Sequence, residues 1–430
     1  MKLTARYITM LALLLAASWA IAPAQAQLRG HGGPVRALAV SPDGKRLISA
    51  SFDTTAIVWS LASGTAEQVL RFHEGAVNAA AVFKDGRVAT GGEDGRIAIW
   101  QPGQDKPATV LQGHTAPIVS LAVSADGQTL ASASWDTTGR LWPLGGGAAR
   151  VLEGHQQNVN GVAFTPDGRA VVTVGYDRTL RIWPMGGGSP VIVTLPAPLN
   201  SVAVARDGEI VAAGATGKVY FLSSAGETQS EIDAAEVPIV ALAVSDDGKL
   251  VAASSVRGAV AVIDRTGHKL ERTLVGPGMP AWSVAFLPDN GTILTGGTDR
   301  LIRRWNALTG EHAGDVTMSG PADPLGPYKS EPGAEIFRAC VACHTLKPDE
   351  GPRAGPTLVG IFGRRIASLP GYDFSPALKD LDIVWTPETI SKLFEIGPAA
   401  YTPGTKMPEQ RVGVEDRAAL VKFLEKATKP

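Results

Sequence analysis

Cysteine is almost missing from this 430-residue chain, which has only Cys340 and Cys343. A disulfide framework is therefore excluded, because a stapled scaffold needs several pairs. Charge is sparse at 19% of residues and nearly cancels to a net −1. That balance gives no basis for binding nucleic acid or an anionic membrane surface. After the first two dozen residues no apolar run is long enough to span a bilayer, so no membrane span is expected in the mature chain. No catalytic triad, no Walker loop and no acidic pair of fixed spacing occurs in the first three quarters. That part of the chain shows no chemistry of its own.

What is present is turn-forming and moderately apolar. Hydrophobic residues make up 44%, with 49 glycines and 30 prolines, an inventory suited to many short strands. Residues 1–26 read as a secretory signal peptide. Lys2 and Arg6 precede an apolar stretch from Tyr7 to Ile21, and Ala24-Gln25-Ala26 supplies a small-x-small cleavage pattern before Gln27. A periplasmic, disulfide-permissive location is the resulting expectation.

The strongest signal is internal repetition. "GHTAPIVSLAVSADGQTLASASWDTTGRLW" (Gly113–Trp142) is echoed by segments ending at Trp59, Trp100 and Trp183. More divergent copies follow near residues 195–232, 233–274 and 275–316. Seven units at a spacing of about 40 residues match the propeller period. Each unit alternates apolar and polar residues between tight turns, as in "VRALAV", Pro42-Asp43-Gly44 and "RLISAS", which specifies a small antiparallel sheet. One such sheet cannot bury both faces, but seven stacked around an axis can. His31, His73, His114 and His155 open four units. Each is followed by an aspartate about 22 residues on (Asp53, Asp94, Asp136, Asp177) and then by a tryptophan. The expectation is a buried His–Asp–Trp hydrogen-bond network in each blade, not a metal site. These repeats resemble WD40 repeats over residues 28–316. Copies five and six depart, with Tyr220 and Ile263 in place of tryptophan, and read as looser blades or as edges for a partner. His268 and His312 read as solvated turn residues. Either residues 27–30 or Glu311–Val316 can supply the last edge of the seventh blade.

Residues 317–332, with four prolines, read as a semi-rigid linker. From 333 to 430 the alternation stops and helical spacing takes over, with Leu420, Phe423 and Leu424 on one stripe. "CVACHT" lies here. Zinc needs about four ligands, and this region has no further cysteine or histidine. A redox disulfide needs a βαβ context and leaves His344 unexplained. Covalent haem accounts for all five positions: two thiols for two vinyl groups, then a histidine placed to ligate the iron. For the opposite face, Met407 is the one methionine past the linker and sits in the polar loop "YTPGTKM", with Lys406 as its only nearby competitor.

Taken in order, "CVACHT", "GPTLVGIFGRR", "PGYDF", "YTPGTKM" and "RAALVKFLEKAT" resemble the class I c-type cytochromes of the mitochondrial cytochrome c kind. The fold class expected is thus multidomain, an all-β seven-bladed WD40-type propeller followed by an all-α class I cytochrome c domain. The resemblance implies one haem c, joined through Cys340 and Cys343, with His344 proximal and Met407 distal. It implies that the Pro356 carbonyl holds the imidazole. It places Arg364 and Trp385 near the haem propionates, with Tyr372 close by, and sets Phe337 against Leu420 between the first and last helices. Three departures stand out: Phe374 in place of a tyrosine, Ala399-Ala400 in place of a lysine pair, and Pro408-Glu409 in place of an apolar pair. These thin the basic ring that docks the family's usual partners. The function expected is an exported electron carrier, with redox protein partners docking on the propeller. The alternatives are a haem-containing oxidoreductase subunit with a substrate or second cofactor site on the propeller, and a redox sensor in which Met407 leaves the iron.

Overall fold

The computed structural model describes residues 27–312, 325–338, 340–347, 353–372, 374–407 and 410–429. The expected signal peptide, residues 317–324 of the expected linker and the Pro408-Glu409 pair lie outside them.

The alternating segments form seven antiparallel sheets of four strands each. Six sheets are built from consecutive strands. The first comprises Val35–Val40, Arg46–Ser51, Thr55–Ser60 and Ala66–Arg71. The seventh takes its first three strands from Ala281–Phe286, Thr292–Gly297 and Leu301–Asn306, and its fourth from Gln27–Arg29. The N-terminal strand therefore supplies the edge that the sequence left open. The first strand of each blade packs on that of the next, and the seventh returns to the first, so the ring is closed.

Between blades the inward faces interlock. Leu28, Leu294 and Ile302 of blade seven pack with Val35, Leu47, Ile57 and Trp59 of blade one. Full burial of each such side chain contributes roughly 1.5–3 kcal/mol. The first four blades carry a polar clip inside this apolar stack. His73 Nδ1 meets Asp94 at 3.0 Å, His73 Nε2 meets Thr90 Oγ1 at 2.9 Å, and Trp100 Nε1 donates to the same hydroxyl at 3.0 Å. Ser49, Ser132 and Thr173 occupy the equivalent place beside His31, His114 and His155. Burial opposes ionisation of Asp94, yet the hydrogen bond and charge of His73 outweigh it and hold the carboxyl well below the usual range.

Blades five and six dispense with the clip. Tyr220 and Ile263 fill the tryptophan position and are completely buried, and both blades keep four strands. In these two blades side-chain packing takes the place of the polar network. His268 and His312 also differ from expectation. His268 stacks on Phe221 at 4.2 Å and reaches Glu209 at 3.0 Å, and His312 stacks on Trp305 at 3.9 Å.

The C-terminal domain holds five α-helices among its described residues: α1 (Pro332–Phe337), α2 (Pro376–Lys379), α3 (Pro387–Ile396), α4 (Pro398–Tyr401) and α5 (Val414–Ala427). Helices α1 and α5 cross closely at Gly333, where a Cβ would come within 2.5 Å of Phe423 Cβ. Phe337, Leu420, Phe423 and Leu424 are buried there in one core. Leu325 and Tyr328, from the segment read as linker, join the same core.

Replacing Thr90 with the isosteric valine leaves His73 Nε2 and Trp100 Nε1 without a partner. Each orphaned group costs about 1–3 kcal/mol. The expected result for Thr90→Val is a loss of about 2–4 kcal/mol in denaturant unfolding of the propeller, and an unchanged midpoint would refute the clip's role.

Candidate functional site

The two cysteines and the histidine sit on one helical turn. The backbone N–H groups of Cys343 and His344 both donate to the Cys340 carbonyl, at 3.0 and 2.9 Å. This turn gathers both sulfurs and the imidazole beside one cavity. No disulfide joins the cysteines. Burial pushes the Cys340 thiol up to about 11 and the Cys343 thiol up to about 12, so both stay protonated. Burial also holds the His344 imidazole below its ordinary pKa, leaving it neutral. Its Nδ1 donates to the Pro356 carbonyl at 2.7 Å. That bond fixes the tautomer and leaves the Nε2 lone pair as the donor for a metal. Gly355 makes the approach possible, since a Cβ there would lie 2.6 Å from His344 Cε1.

The cavity measures about 590 Å³, and its walls include Cys340, Cys343, His344, Pro356, Arg364, Tyr372, Trp385 and Met407. All eight residues singled out from the sequence are therefore brought together. Helix α3 opens with Thr386, whose hydroxyl and backbone form a reciprocal cap with Thr389, and presents Ile390, Leu393 and Phe394 to the cavity. The Met407 loop follows α4 and turns at Gly404 with φ of 82°. Arg364 donates to the carbonyls of Thr357 and Val359 at 2.9 and 3.1 Å. Tyr372 donates to the Ala354 carbonyl at 2.6 Å.

These residues fit a covalent haem on chemical grounds. An apolar cavity of this size suits a flat cofactor, two thiols lie on one edge, and a neutral imidazole and a thioether line its walls. Among the described residues no cluster of three or more His, Cys, Asp or Glu offers another metal site.

The remaining wall comes from the propeller, which nothing in the sequence indicated. Gly32, Asp53, Arg71, Glu74 and Arg300 all line the cavity. A Cβ at Gly32 would collide with Cys343 Sγ. The Ala354 N–H donates to the Gly30 carbonyl at 3.4 Å, and Lys406 Nζ donates to the His73 carbonyl at 2.6 Å. The propeller thus lies over the Cys343 edge of the cavity. Residues so far apart in the chain carry no local pattern that would pair them. The bridging hydroxyls of the blades were a different omission, because a Ser or Thr ten residues before each tryptophan was there to be seen.

Comparison with known proteins bears on both halves. The family model "WD domain, G-beta repeat" matches residues 23–60, 64–101, 105–143, 146–184 and 268–306. The family model "Cytochrome c" matches residues 330–428. Cytochrome c of Arabidopsis thaliana is 38% identical over 117 residues, covering 27% of this chain and 96% of that protein. Cytochrome c of Cochliobolus lunatus is 42% identical over 99 residues, 23% of this chain and 91% of that protein. Cytochrome c type-1 of Ascaris suum is 38% identical over 111 residues, 25% of this chain and 96% of that protein.

The packing of Gly355 yields a direct test. Gly355→Ala displaces the His344 ring from the Pro356 carbonyl, so the expected outcome is an altered absorption spectrum of the pigmented protein and a loss of about 1–3 kcal/mol in stability, the range for a broken buried hydrogen bond. A variant identical to the parent in both respects would contradict the arrangement.

Proposed function

This chain belongs to the cytochrome c family through its C-terminal domain, and from that premise we propose that it is an exported one-electron carrier whose propeller controls what reaches its redox centre. The observation that carries the reading is the cavity itself, where the paired thiols, the oriented imidazole and Met407 converge under a wall supplied by the propeller. Cys340 and Cys343 would hold a haem covalently through thioether links. His344 Nε2 and the Met407 sulfur would be the protein's two donors to its iron. A haem held there supplies an iron couple that takes up one electron and gives it back. The Pro356 carbonyl keeps the imidazole oriented and electron-rich. A methionine thioether donor would raise the reduction potential of the haem it helps to hold. The apolar walls from α3 exclude water, which limits reorganisation when the charge changes.

The propeller's part follows from Gly32 and its neighbours. Because they sit over the Cys343 edge, a redox partner must approach along a route that the propeller leaves open, or bind the propeller and cytochrome domain together. Residues 1–26 support export, since covalent haem attachment belongs to exported compartments, and a periplasmic location is part of this proposal.

Three experiments test the reading. The full chain, made in a host that matures c-type haem, is expected to keep its pigment in acidified acetone and to contain a single iron per chain. Met407→Ala is expected to retain the pigment but lower the midpoint potential, within the roughly 0.8 V range that axial ligands command. Colourless or extractable material would overturn the proposal. Gly32→Val tests the covering role by forcing the domains apart. Reduction by a small soluble reductant should then speed up severalfold while the propeller's unfolding midpoint stays put; equal rates would rule out occlusion.

A further inference from the structure

Arg71 ends the outer strand of the first blade and reaches into the second domain. Its guanidinium lies 4.3 Å over the ring of Tyr372. Nη2 donates to the carbonyls of Arg353 and Ala354, at 2.5 and 3.0 Å. The Ala354 carbonyl is the same one that accepts the Tyr372 hydroxyl. Two residues further on is Pro356, whose carbonyl holds His344 Nδ1. Arg71 therefore grips the strand of chain that orients the imidazole.

Among the described residues it has no ion-pair partner, although Asp53 and Glu74 line the same cavity. Asp53 is taken up by His31, the Gly32 N–H and Thr55, and Glu74 pairs with Arg96. No carboxylate pairs with Arg71 among the described residues, and its Nε is buried without a partner. A half-buried cation not held in an ion pair carries a desolvation cost. It persists where neighbouring carbonyls and an aromatic face stabilise it, and here both are present on the wall of the cavity.

We propose that Arg71 is a positioning residue of the redox centre contributed by the propeller: it fixes the Arg353–Pro356 segment behind His344 and places a permanent positive charge in the cavity wall, so that the propeller sets the reduction potential of the cytochrome domain. This rests on the haem-carrier reading above. A fixed cation beside the centre favours the state with one more electron, so its removal lowers the potential. The lever reaches the centre from a domain that the three cytochrome relatives above do not match.

The experiment uses the full pigmented chain as parent, Arg71→Ala, Arg71→Lys and Arg71→Gln. Absorption spectra and extraction in acidified acetone first establish that each carries covalent haem. Redox titration then gives the midpoints. Arg71→Ala is expected to reduce the ferrous-to-ferric ratio at a fixed poise roughly threefold, a drop of about 28 mV at 59 mV per tenfold for one electron. Arg71→Lys keeps the charge and is expected to recover most of that drop, a rescue that loss of packing alone does not predict. Arg71→Gln removes the charge at similar length and serves if the alanine variant does not fold. Equal midpoints in parent, Ala and Gln variants with intact covalent haem would overturn the role of Arg71 and leave the carrier reading standing. Absence of covalent haem from the parent would overturn both.

Discussion

The contact between Gly32 and Cys343 is the constraint on which the rest of the molecule turns. A residue with no side chain at position 32 lets the propeller's first loop lie against the sulfur, and any Cβ would hold the domains apart. Around that point the interface is stitched by hydrogen bonds to backbone carbonyls. Gly30 receives Ala354, His73 receives Lys406, and the carbonyls of Arg353 and Ala354 receive Arg71. Each such bond contributes only about 0.5–1.5 kcal/mol net. An interface of this polar kind holds two domains together while leaving them able to part.

The same few residues also close the propeller. Gln27–Arg29 completes blade seven, and Gly30 and Gly32 follow at once as the docking points. Closure of the ring and placement of the second domain are thus consecutive steps of one short segment. The His–Ser/Thr–Trp clips of blades one to four matter for the same reason. Two of the clipped blades, one and two, adjoin the interface, and their histidines His31 and His73 sit within two residues of Gly32 and Arg71. Blades five and six lie away from the cytochrome contacts and are stabilised by apolar packing around Tyr220 and Ile263.

How much of this was legible in the sequence depended on separation along the chain. Repeat period, turn chemistry and the Cys340–His344 spacing are local signals, and they led to the blades and to the motif. Resemblance carried Pro356, Tyr372, Trp385 and Met407 to the cavity, because their order is shared with a known family. The propeller wall had neither kind of signal. Gly32 and Arg71 pair with residues hundreds of positions away, and in sequence one is a turn glycine and the other a charge at a strand end. His268 failed for a related reason, whereas His312 pairs with a residue only seven positions back. Both turns look solvated in one dimension, while Phe221 comes from a strand of the preceding blade and Trp305 from the strand just before His312.

The departures from the cytochrome pattern gain a physical explanation from this arrangement. Free-standing carriers that meet partners by diffusion rely on complementary charge around the exposed edge to steer encounter. Here Ala399 and Ala400 stand exposed on α4 where the resemblance implies lysines, which on the proposed reading weakens that steering. On the proposed reading the loss is tolerable because the edge near Cys343 is already occupied by the chain's own propeller. Selection of a partner then passes from the charge pattern of the small domain to the faces of the large one, and the cations that remain useful are those the propeller holds in place, Arg71 and Arg300, at the wall of the cavity itself.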